Sequence, residues 1–143
     1  MNWKNEAIER LSRYNAMSQA VKNIPIELKR LEKNSADLRG RRTDGIRVSS
    51  SPGRQEDILI GNLMKQYELT RNYENAMAWV DTTNRALSSL TQEEELILRR
   101  MYIDPQRGVV NRLCGELGVE QSSIYRKRDI ALYHFTMALY GAA

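Results

Sequence analysis

Apolar residues recur at intervals of three and four along most of the chain, and alternating apolar–polar runs of useful length are absent. Between Trp3 and Leu38 two seven-residue series interleave. One is Ala7, Tyr14, Val21, Leu28 and Ser35; the other is Met17, Ile24, Leu31 and Leu38. That spacing returns side chains to one helix face, so residues 1–38 are expected to form a long helical segment. Pro25 has no N–H to donate and crowds the preceding turn. It predicts either one helix kinked at Pro25 or two helices meeting there. Over residues 39–54 the period vanishes into a Gly-, Ser- and Arg-rich run, which predicts a flexible basic loop. Helical character returns over residues 55–90, with Ile60, Leu63, Tyr67, Met77, Val80, Leu87 and Leu90 as candidate buried positions on a stripe that drifts. At about 1.5 Å per residue each long segment would span roughly 50 Å. Two such helices joined by a loop predict an antiparallel hairpin. A hairpin that narrow leaves apolar surface uncovered, so homo-oligomerisation or docking through this half is expected.

Residues 91–143 read as a separate helical domain. Thr91 and Glu94 have capping-box spacing, in which the Thr hydroxyl accepts a backbone N–H and the Glu carboxylate accepts from the cap residue. Glu93, Glu94 and Glu95 fall where a helix N-terminus favours negative charge. A helix over 92–103 is therefore expected, then a turn over 104–108. Two short helices should follow, crossing at a tight turn around Gly118, where glycine adopts positive φ without steric cost. Cys114 supplies a small residue four positions earlier. Leu113, Leu117, Val119 and Ile124 fall where the pair must bury apolar side chains.

The second of these helices, starting near Glu120, would turn Gln121, Ser122, Ser123, Tyr125, Arg126 and Arg128 away from that core. In a helix-turn-helix such residues face base edges in the major groove. Gln can pair with adenine, Arg with guanine, and Ser with either. Arg112, Lys127, Arg99 and Arg100 are better placed for phosphates, which contribute affinity and salt dependence without sequence choice.

Composition adjusts this picture modestly. Lysines and arginines exceed acids by 22 to 18 over 143 residues, so the location of positive charge matters more than its total. Arg39, Arg41, Arg42, Arg47 and Arg54 belong either to a solvated linker or to an arm that neutralises phosphates. The single Cys114 excludes an intramolecular disulfide and is expected to be a small core residue. No run is apolar enough to span a bilayer and the first ten residues do not resemble a secretory signal, so a cytoplasmic protein without membrane partners is expected. His134 is expected in a core or surface role, Tyr125 either on DNA or on the preceding helix, and Trp3 and Trp79 as anchors of the helical half. Phosphate-binding glycine loops, metal-spaced histidines and nucleophile triads are absent. Neither an enzyme nor a cofactor is expected.

The run LTQEEELILRRMYID, the LCGELGV turn and SSIYRKRDIAL together resemble region 4 of sigma-70-type factors, over residues 90–139. With a helical first half and small size, the whole chain resembles phage and prophage regulators of the ArpU/RinA type. The resemblance implies an all-α protein, a long helical hairpin followed by a sigma region 4-like helix-turn-helix. The implied function is sequence-specific binding of double-stranded DNA near phage late promoters in a bacterial host, with RNA polymerase as a further partner. Lys127 stands where region 4 carries an apolar inward residue, so either the reading helix is rotated or the lysine stem snorkels. Two other readings are a small terminase subunit that recognises viral DNA for packaging, and a polymerase- or sigma-binding protein that touches no DNA.

Overall fold

The computed structural model describes residues 2–43 and 52–143. Their regular structure is entirely helical: α1 (Trp3–Ser12), α2 (Tyr14–Thr43), α3 (Pro52–Ser88), α4 (Gln92–Leu98) running into a π-helical turn (Arg99–Ile103), α5 (Val109–Leu117) and α6 (Gln121–Tyr140). None of these helices is long and apolar enough to cross a membrane. The chain forms two compact units, residues 1–17 with 78–143 and residues 18–77.

In the smaller unit the predicted α2 stripe is real. Val21, Ile24, Leu28 and Leu38 are half-buried, and Leu31 and Ser35 are buried. The helix continues through Pro25 from Tyr14, and the chain breaks instead at Arg13. The expected basic loop is shorter than 39–54. Arg is a good helix former and extends α2 to Thr43, while Pro52, at the first position of α3, suits a helix start. Residues 44–51 of that loop, Arg47 among them, lie outside the described residues.

The expected burial along α3 needs correction. Met77 and Val80 are half-buried as expected, but Ile60, Leu63 and Tyr67 are exposed, and in that stretch the shielded positions are Leu59, Asn62, Gln66, Leu69, Tyr73 and Ala76. These six recur at three- and four-residue steps, so a coherent stripe exists one position away from the expected one. It went unread because two of its members are amides. Gln66 Nε2 donates to the buried Ser35 Oγ of α2 at 3.3 Å, which satisfies both groups.

The larger unit has two adjoining cores. The first gathers Ala7 and Leu11 of α1, Ala86 and Leu87 of α3, Leu98 and Ile103, and Ala131, Leu132 and Phe135 of α6. Leu87 is fully buried, as expected, and Leu90 packs against this cluster. Trp3 sets its ring edge-on to Tyr133 at 5.9 Å, and Arg10 lies 4.1 Å over the Trp79 ring while its Nε donates to Thr83 Oγ1. Trp79 thus anchors the helical half as expected, whereas Trp3 holds α1 to α6, in the segment expected to be a separate domain. The second core, Ile97, Leu113 and Ile124 with Cys114, Leu117 and Val119 around them, joins α4, α5 and α6.

Candidate nucleic-acid interface

Local chemistry aims α6. At its upstream end Thr91 Oγ1 accepts from the Glu94 N–H while Glu94 Oε1 accepts from the Thr91 N–H, both at 3.2 Å. The capping box therefore starts α4 where the sequence placed it. The helix over 92–103 is present, but its last five residues are π-helical, closed by the Asp104 N–H donating to Arg99 O at 2.9 Å. The wider turn lets Met101 serve the second core and Ile103 the first.

Residues 104–108 then form a non-helical connection, and Gly108 (φ 70°) leads into α5. Gly118 ends α5 at φ 65°, with its own N–H and that of Val119 donating to Cys114 O at 2.9 and 3.3 Å. Glu120 is extended and α6 begins at Gln121. Ile124, fully buried, pins the first turn of α6 against Leu113. The residues that flank Ile124 must point outward by helical geometry, and Gln121, Ser122, Tyr125 and Arg126 are exposed while Ser123 is half-buried. Contacts of α1 on this helix fall further along, at Asp129 and Tyr133.

The candidate cations divide into two groups. Arg126 is exposed and, among the described residues, makes no hydrogen bond or ion pair. Arg112 is exposed and donates from Nη1 to the neutral amide of Gln106 at 2.5 Å, so its charge is uncompensated. Arg107, in the turn before α5, is also exposed and, among the described residues, unpaired. It was absent from the expected set, although an arginine in a turn beside a helix start was a readable signal. The other cations already hold acids. Arg99 Nε donates to Glu95 at 2.9 Å, Arg100 Nη1 to Glu116 at 3.0 Å, and Lys127 pairs with Glu93. The lysine therefore snorkels: its ammonium meets the α4 first turn from a half-exposed position.

Arg128 is the most committed of the set. Its guanidinium donates twice to Asp129 Oδ1 at 3.1 and 3.0 Å and stacks over the Tyr125 ring at 5.1 Å. Asp129 also receives the Lys4 ammonium at 3.1 Å. Burial opposes ionisation of Asp129, but the hydrogen bonds from Lys4 and Arg128 outweigh it and hold the carboxyl below its usual range. Tyr102 moves the other way: burial raises its hydroxyl despite the nearby Arg128. Arg128 and Tyr125 thus form one unit, with Tyr125 half on its own helix and half free.

Over residues 91–143 the charges balance, seven Arg and Lys against seven Asp and Glu. Among the described residues of this segment, the cations without an acidic partner are Arg107, Arg112 and Arg126. Cys114 is half-buried in the second core, matching a packing role. His134 Nδ1 lies 2.5 Å from Glu94 Oε2, tying α6 to the α4 cap. Among the described residues no group of three or more His, Cys, Asp or Glu could hold a metal ion. No protein-family model, curated protein or solved structure matches the chain.

Proposed function

We propose that α4–α6 act as a sigma region 4-like helix-turn-helix that binds double-stranded DNA, in a transcriptional regulator of phage or prophage late genes. In this reading the long helices pair as an antiparallel hairpin that associates between copies, and RNA polymerase is a further partner. The observation that carries it is the α6 tip, where a buried Ile124 and a left-handed Gly118 leave Gln121, Ser122, Tyr125 and Arg126 uncovered. Gln121 and Arg126 have the donor and acceptor sets that read adenine and guanine edges, and Ser122 and Ser123 suit either base. Tyr125, backed by Arg128, offers a ring to a thymine methyl or a sugar. Arg107 and Arg112 would meet phosphates without first breaking an ion pair. Arg99, Arg100 and Lys127 would exchange carboxylates that are at least partly exposed for phosphates, a small cost because surface pairs contribute about 0–1 kcal/mol.

Fluorescence anisotropy on a pool of promoter-derived duplexes tests this. Binding at about 50 mM salt that weakens steeply as salt rises is the expected result; no binding at low salt overturns it. The even charge balance of residues 91–143 favours one rival, a polymerase- or sigma-binding module that makes no DNA contact, and that rival predicts the negative result.

A further inference from the structure

We propose that α3 carries a self-complementary face, centred on Met64, on which a second copy of the chain docks antiparallel. This deepens the association part of the reading above and does not depend on DNA binding.

The amphipathicity of α3 is inverted. The stripe turned toward α2 spends two positions on amides, Asn62 and Gln66, while Ile60, Met64 and Tyr67 stand 54%, 65% and 71% exposed on the opposite side. Steps of four and three residues place these three side chains on one face. An exposed Ile, Met and Tyr in continuous register are costly to leave in water and mark an interaction surface.

The charges at the ends of the face choose the occupant. Asp57 and Arg71 lie seven residues before and after Met64, and a heptad step returns to the same stripe within about 20°. Both are exposed and, among the described residues, neither has a hydrogen bond or ion pair. A parallel copy would set Asp57 against Asp57 and Arg71 against Arg71. An antiparallel copy related by a two-fold axis at Met64 sets Asp57 against Arg71 twice, with Tyr67 of each copy beside Ile60 of the other. The same four charges thus repel in one orientation and pair in the other, which is how end charges select partner and direction in helix pairs.

Sedimentation equilibrium of the full chain without DNA decides it. The wild type should dimerise, more weakly in high salt. Asp57→Arg and Arg71→Glu should each weaken self-association by roughly tenfold, two opposed pairs becoming two like-charge pairs. The double variant D57R/R71E should restore it. Circular dichroism should show unchanged helix content, since both positions are exposed. A chain that stays monomeric at every concentration and salt, leaving the face to a different protein, overturns the proposal. So does a double variant no tighter than the single ones. Loss of DNA binding with the charge-swap pattern intact would remove the DNA reading and leave this one standing.

Discussion

At Gly118 a Cβ would meet no atom within 4 Å, so the position needs glycine for its backbone angle alone. Gly118→Ala should therefore cost about 1–2 kcal/mol, the penalty of left-handed φ for an L-residue, read as a lower urea midpoint. Ile124→Ala, which empties a fully buried site, should cost about 2–5 kcal/mol and weaken DNA binding by loosening the α6 tip. Arg126→Ala should erode preference at a single base by about 1–3 kcal/mol, while Arg112→Ala should weaken all sequences alike and lower the salt slope by about one. Equal losses on every duplex for both variants would contradict those roles. The turn and its core were legible in the sequence because Cys114, Gly118 and Ile124 act on neighbours only a few residues away. The state of the cations was not. Arg128 is held by Asp129, and Asp129 in turn by Lys4 from the far end of the chain, a pairing that no local spacing signals.

The capping box at α4 is local and was readable; the His134 contact added to it was not. Burial pushes the Glu94 carboxyl up, but hydrogen bonds from His134 and Thr91 overcome this, and it ionises below its ordinary 4.5. A carboxyl depressed in the folded state contributes stability above its unfolded pKa and loses it as pH falls through the folded one. Stability of the larger unit should therefore decline from about pH 5 downward, with Asp129 adding to the same slope. Glu94→Gln keeps a side-chain acceptor for the cap and should flatten that acid limb in unfolding followed by circular dichroism. Along α3, periodicity predicts a helix, but over Ile60, Leu63 and Tyr67 it picks the outward face, while Met77, Val80 and Leu87 are shielded as expected. Hydrophobicity identifies the inward side only where the outward side is polar, and Asn62, Gln66 and Tyr67 reverse that relation.

For the whole chain, 91–143 stood out in the sequence as a domain of its own, whereas the compact unit also takes in residues 1–17 and 78–90. Leu11 of α1 is fully buried in the core it shares with Leu98 and Phe135. Leu11→Ala should consequently destabilise the unit that presents the α6 tip by about 2–5 kcal/mol, measured by urea unfolding, although it is remote from that tip in sequence. The excess of positive charge lies outside this region: residues 39–54 hold five arginines and one aspartate, the full surplus of four. Helical class, the cap of α4, the Gly118 turn and the residues around the α5–α6 corner follow from the order of amino acids alone, because backbone propensity and i to i+4 contacts are local. Which helices share a core, which face of α3 meets water, and which arginines are left to meet an anion depend on contacts between distant segments. Tertiary packing settled those, because a side chain's burial and its ion partner are properties of the surface that arrives against it.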